Sequence, residues 1–189
     1  DVCSSDLGAS GALRASTVEA REAGRPRERA ALTAMERYYD LFDERAMIAA
    51  FFTIVEDTRI DAWVSREYGG IRPALRRVQS NESERRPDIR LLGLRNALAE
   101  NLLRASLGRR DTMRWPALHN DALIEAVDAL EVVEQPGATV QDSAEVAAQL
   151  YDIATRLPNV AGEFPEQDWE QPDASMFGAS RSEEHTSEF

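Results

Sequence analysis

The run Ala46-Met-Ile-Ala-Ala-Phe51-Phe-Thr-Ile-Val55-Glu-Asp-Thr-Arg59-Ile-Asp61 joins an apolar stretch, broken only by Thr53, to a cluster of four charges. The apolar part is too short to span a bilayer, which takes about 20 residues. Met47, Ile48, Phe51, Ile54, Val55, Thr58 and Trp63 recur at the spacing of one helix face. The pattern predicts a buried helix from about residue 44 to residue 67. Tyr68-Gly69-Gly70 then ends it, because glycine supplies a left-handed C-cap at little cost.

Outward from this helix the same periodicity continues. Ala30, Ala31, Ala34, Met35, Tyr38, Leu41 and Phe42 predict a preceding helix from about Arg27. Pro73 suits the first turn of a helix over 73–81, and another follows Pro87 over about 88–107. The apolar face of the latter is Leu91, Leu92, Leu94, Leu98, Leu102 and Leu103, and Gly108 closes it. Pro116 opens a fifth helix to about Val133, with Leu118, Leu123, Ile124, Val127 and Leu130 facing inward. Thr139, or the residues just after it, caps a sixth, which carries Val146, Ala147, Leu150, Tyr151, Ile153 and Leu157. No alternating strand pattern and no long-period repeat is visible. The expected fold is all-α, an irregular bundle of about six helices over residues 27–160, with an acidic, irregular C-terminal tail.

Residues 8–26 read as a linker or frayed helix. Residues 161–180 read as an acidic linker, with Phe164, Trp169 and Phe177 docking on the body. The extreme ends read differently. Arg181-Ser-Glu-Glu-His-Thr-Ser-Glu188 is what AGA TCG GAA GAG CAC ACG TCT GAA encodes, a sequencing-adapter string. Asp1-Val-Cys-Ser-Ser-Asp-Leu7 matches the opposite adapter strand, GAT GTG TGC TCT TCC GAT CT. Residues 1–7 and 181–189 are therefore expected to be adapter-derived, and the natural part to be an internal piece of a longer gene.

The net charge is −12 over the whole chain. Each expected adapter end carries two net negative charges, which leaves −8 for residues 8–180. This acidity argues against nonspecific nucleic-acid binding, which needs a positive footprint. All 22 basic residues are Arg, a bias that reads as base composition and not as guanidinium chemistry. The single cysteine, Cys3, cannot form an internal disulfide or a cysteine-based zinc site.

The four charges at 56–61 are the most distinctive chemistry. Asp57 and Asp61 are four apart and Glu56 and Arg59 three apart, so each pair shares a helix face. Beside Phe51, Phe52, Ile54 and Trp63 such charges need partners, and Arg59 is the local one. An ion-pair network that fixes helix register is the simplest reading. The aromatic set Tyr38, Tyr39, Phe42, Phe51, Phe52 and Trp63 reads as core. His119 reads as a surface or capping histidine. Gly69-Gly70 lacks the strand and the lysine of a phosphate-binding loop. No Gly-x-Ser-x-Gly elbow supports a nucleophilic serine. The arginine clusters Arg76-Arg77, Arg85-Arg86-Arg90 and Arg109-Arg110-Arg114 read as paired or solvated surface.

Phe51-Phe-Thr-Ile-Val-Glu56-Asp57-Thr-Arg59-Ile-Asp61, followed by Tyr68-Gly-Gly70-Ile-Arg72, resembles a known helical region. It is the region that precedes the von Willebrand factor A (VWA) domain in nitric oxide reductase activation proteins and their Rubisco-activation and cobaltochelatase-subunit relatives. Pro136-Gly-Ala-Thr-Val-Gln-Asp142-Ser-Ala144 resembles the same proteins. The resemblance covers residues 30–160. It implies a cytoplasmic, non-enzymatic adaptor that pairs with a MoxR-type AAA+ ATPase and a target enzyme to activate or metallate the target, with no nucleic acid or membrane involved. Glu56, Asp57, Arg59, Asp61, Tyr68, Gly70 and Arg72 transfer as motif residues. The family's Asp-x-Ser-x-Ser site for Mg²⁺ is absent here, so Mg²⁺ is expected only in a VWA domain outside this piece. An alternative comes from zincin-like relatives, in which a Glu-Asp-x-Arg helix supplies a third zinc ligand. Glu56 would then be the ligand, with the histidines outside the chain.

Overall fold

The computed structural model describes residues 33–84, 86–159 and 164–177. The expectations for residues 1–32 and 178–189, including both adapter-like ends, lie outside them. Among the described residues the protein is a bundle of six α-helices with one very short antiparallel strand pair. The helices are α1 (Ala34–Tyr39), α2 (Arg45–Glu67), α3 (Arg72–Glu84), α4 (Leu94–Ser106), α5 (Asn120–Glu131) and α6 (Val140–Thr155). The strands β1 (Trp115–Pro116) and β2 (Trp169–Glu170) pair Trp115 with Glu170 and Pro116 with Trp169.

Local chemistry sets the helix starts. Thr33 and Thr139 each accept a hydrogen bond from the backbone three residues on, and Glu36 and Asp142 reach back to close a capping box. Such a cap satisfies donors that a helix start otherwise leaves bare. α2 is the central helix. Ile48, Phe51 and Val55 have no exposed surface, and they meet Ala147, Leu150 and Ala154 of α6 and Ala97 and Leu98 of α4 in one continuous core. An aromatic cluster seals the N-terminal end of this core. Phe42 meets Tyr151 edge-on at 4.8 Å, and Tyr38 contacts both Phe42 and Phe52. Each phenol is also anchored. Tyr38 donates to the Ala144 carbonyl at 2.7 Å, and the Tyr151 hydroxyl accepts from the Glu44 amide at 3.0 Å.

Several sequence expectations are corrected. The helix expected over 88–107 is interrupted. Asp88 caps a 3-10 turn at Ile89–Leu91, Leu92 and Gly93 are extended, and α4 starts only at Leu94. That offset takes Leu91 off the α4 face and leaves it 76% exposed. The fifth helix does not start at Pro116, which lies in β1. A 3-10 turn at Ala117–His119 precedes α5 and turns Leu118 to solvent. Gly69 and Gly70 form a 3-10 turn with Ile71, and neither takes the left-handed conformation expected of a C-cap. Gly108, after α4, does take it, with φ 69°. The strand pair was not expected from a chain without alternation; two residues are too few to show a period.

The segment 164–177 lies on the body. Trp169 and Phe177 are buried and Phe164 is half-buried. β2 adds one edge to β1, Arg110 sits 5.4 Å from the Phe177 ring, and Arg90 pairs with Glu166. Beneath it Trp115 and Met113 are fully buried. Two polar side chains tie α4 to this side. Asn101 is buried and bonds the Arg114 backbone in both directions, and Glu100 is held by Arg86 and Arg104.

Candidate functional site

The motif residues lie on the second half of α2 and on the turn after it. Glu56 and Arg59 form a two-pronged ion pair, with nitrogen–oxygen distances of 2.9 and 2.6 Å. Each side chain keeps about a fifth of its surface exposed, 19% for Glu56 and 21% for Arg59. The pair thus sits, partly buried, at the edge of the core. It faces the start of α6. Arg59 also reaches the Ala138 carbonyl at 3.4 Å, and the Ser143 hydroxyl, which donates to the Thr139 carbonyl at 3.5 Å, lies near Glu56. The Arg59 guanidinium, aided by Ser143 and opposed by partial burial, holds the Glu56 carboxyl below its ordinary range.

The other motif residues join α2 to α3. Asp61 accepts a hydrogen bond from Gln79 at 3.0 Å, and Arg72 donates to the Ser65 carbonyl at 2.9 Å. Tyr68 packs edge-on against Trp63, with ring centroids 6.0 Å apart. Gly70 lies in the tight turn that lets α3 fold back. Asp57 faces solvent, and partial burial followed by repulsion from Asp61 and Glu56 pushes its carboxyl up.

Beside Arg59 lies an open cleft of about 630 Å³. One wall is Arg59, Ile60, Trp63, Arg66 and Glu67 of α2, and the other is the turn Pro136-Gly137-Ala138. Gly137 has φ 84°, a left-handed conformation that suits glycine and that makes this tight turn before α6. Arg66 bridges the walls by donating to the Glu134 carbonyl at 2.6 Å. Trp63 is 47% exposed and Ile60 39% exposed. Trp63 was expected in the core, and helix geometry explains the miss. Five residues beyond Thr58 is about 140° off its face, because each residue turns the helix by about 100°. Arg66 and Glu134 carried no signal in the sequence, whereas Pro136–Ala138 lay within the second string of the resemblance.

Both Glu56 oxygens are engaged by Arg59. Among the described residues no three His, Cys, Asp or Glu side chains are placed to hold an ion. His119 occupies the N-cap position of α5, but its side chain makes no capping hydrogen bond. It is half-buried with its ring edge-on to Phe164 at 5.6 Å, and its carbonyl accepts from the Trp115 indole. Among the described residues no helix is long and apolar enough to cross a membrane.

Comparison of the chain with protein-family models, with curated proteins and with solved structures gives no match in any of the three.

Proposed function

We propose that this chain is the helical interaction region of a VWA-domain protein, working in the cytoplasm with a MoxR-type AAA+ ATPase to activate or metallate a target enzyme. The observation that carries the interaction role is Trp63, an indole left nearly half exposed at the rim of a cleft lined also by Arg59 and by the Pro136–Ala138 turn. Tryptophan and arginine next to a pocket are the residue types that dominate binding energy in protein interfaces. The Glu56–Arg59 pair sits at one wall of that cleft, and the Asp61–Gln79 and Arg72–Ser65 bonds fix α3 against the same helix. The partner class rests on the resemblance at residues 51–72 and 136–144.

The test mixes the chain with a MoxR-type ATPase and reads binding by interferometry and ATP turnover by phosphate release. Binding that falls at least tenfold in Trp63→Ala, with unchanged helical content, supports the role. Binding that is absent, or indifferent to Trp63, overturns it.

A further inference from the structure

The segment 164–177 is joined to the body in a different way from the helices. Among the described residues its backbone hydrogen bonds, apart from the pairing of β2 with β1, close on the segment itself. They run from Asp168 to Pro165, from Met176 to Asp173 and from Phe177 to Ala174. The Trp169 indole also donates within the segment, to the Phe164 carbonyl. Aromatic rings make the anchorage: Trp169 and Phe177 are buried, and Phe164 meets the His119 ring edge-on. An element tied by a few side chains and one short pairing opens at a lower free energy than packed helices do.

The charges are arranged for release as well as for docking. The segment carries Glu166, Asp168, Glu170 and Asp173 and no base. The body meets it with an arginine at each end. Arg90 pairs with Glu166, and the Arg110 guanidinium sits 5.4 Å from the Phe177 ring. Each of these arginines also holds an acid of the body, Asp88 for Arg90 and Glu131 for Arg110. Neither loses its last counter-charge when the segment lifts away, so release costs little electrostatically. The exposed Arg90–Glu166 pair is weak and is weakened further by salt. Between the two arginines, in the order of the segment, comes β1, whose edge β2 occupies.

We propose that the face formed by Arg90, β1, His119 and Arg110 is a peptide-docking site, with residues 164–177 as its built-in occupant. The partner it fits is an extended acidic peptide with aromatic anchors, which adds a strand to β1 as β2 does and puts its own ring in place of Trp169. Strand addition draws affinity from main-chain bonds and specificity from side-chain pockets. The seated segment defines the chemistry: aromatic anchors at Phe164, Trp169 and Phe177, acids between them, and no base. None of the residues of this face lines the Trp63 cleft, so the two sites are separate. While the segment is seated the face is closed, and a partner binds only the open fraction.

A fluorescein-labelled peptide of residues 164–177, titrated with the full chain and followed by anisotropy, tests this. Weakening the built-in occupant opens the face, so the full chain with Trp169→Ala should bind the peptide about tenfold more tightly than the wild type. Glu166→Arg should do the same, because it places a second guanidinium beside Arg90 while leaving the buried rings in place. It decides the matter where circular dichroism shows that Trp169→Ala disturbs the helices. The same peptide carrying Trp169→Ala should bind neither variant. In the wild type, amide exchange should be faster at Trp169 and Glu170 than around Val55. Variants that bind the peptide no more tightly than the wild type, a peptide indifferent to the loss of its tryptophan, or exchange at Trp169 as slow as at Val55 would each overturn the proposal. A wild type that sediments as a dimer, dissociated by Trp169→Ala, would seat a second copy's segment on the face and overturn the partner peptide in favour of self-association.

Discussion

The two halves of α2 share one helix and one periodicity but differ in what covers them. From Ile48 to Thr58 the apolar face is sealed by α6 and α4, and Phe51 and Val55 have no exposed surface. From Arg59 to Glu67 the neighbours are a turn and the start of α3, and Ile60 and Trp63 stay open to solvent. Helical spacing tells which residues share a face. It does not tell whether a partner element lies over that face. The charge pair at Glu56 and Arg59 marks where the one regime gives way to the other, since charges tolerate an edge far better than a core.

The largest expected effect breaks the comparison at its buried end. Phe51→Ala should cost about 3–5 kcal/mol, as truncation of a fully buried aromatic leaves a cavity the neighbours only partly fill. Trp63→Ala should stay within about 1 kcal/mol by the same denaturant titration, because its ring is nearly half exposed. Equal losses at the two positions would erase the distinction between the halves.

This contrast also explains what the sequence made legible. α2 and α6 were readable almost to their ends, because both carry long apolar stripes, and α6 is announced by Thr139 and Asp142. Leu91 and Leu118 were misread for one reason. Each sits in a 3-10 turn before its helix, and the change in residues per turn breaks the phase that periodicity relies on. Trp115 and Met113 are fully buried without belonging to any helix, so no period could expose them. At the site, the Glu56–Arg59 pairing was legible because it is local, three residues apart. The far wall at Ala138 lies 79 residues from Arg59 along the chain, so their contact could not be deduced from spacing.

The next effect lies at the boundary between the halves. Glu56→Gln removes the anionic partner of Arg59 and should cost about 1–3 kcal/mol at neutral pH, the range for leaving a partly buried polar group short of its partner. The carboxyl is held below its unfolded value by Arg59, so its stabilisation is complete above the unfolded pKa, about 4.3. It fades as pH falls through the folded value. The gap between wild type and Glu56→Gln in thermal melts should therefore be full at pH 7 and narrow below about pH 4. A gap that widens in acid would contradict the pairing.

A smaller effect tests the far wall alone. Thr139→Ala removes one half of the capping box on α6 and should cost about 1 kcal/mol. Because α6 begins just after Gly137 and Ala138, fraying there should loosen the cleft wall without touching the Phe51 core. Amide exchange should rise at the first turn of α6 and remain slow around Val55. Faster exchange at both places would mean that the two halves of α2 open as one unit.

The smallest effect has the opposite sign. Asp57 lies next to Glu56, yet its carboxyl is pushed up, first by partial burial and then by Asp61 and Glu56. A carboxyl raised in the folded state is strained when ionised, so its charge opposes folding above the folded pKa and that opposition is relieved as pH falls through it. Asp57→Asn should thus stabilise the protein at pH 7 by about 0.2–0.5 kcal/mol, the scale of like-charge repulsion one turn apart on an exposed helix face. The gain should vanish in acid, where the native aspartate is already neutral. Two adjacent carboxylates on one helix then respond to amide substitution in opposite directions at pH 7. One faces an arginine across the edge of the core, and the other faces only its own kind.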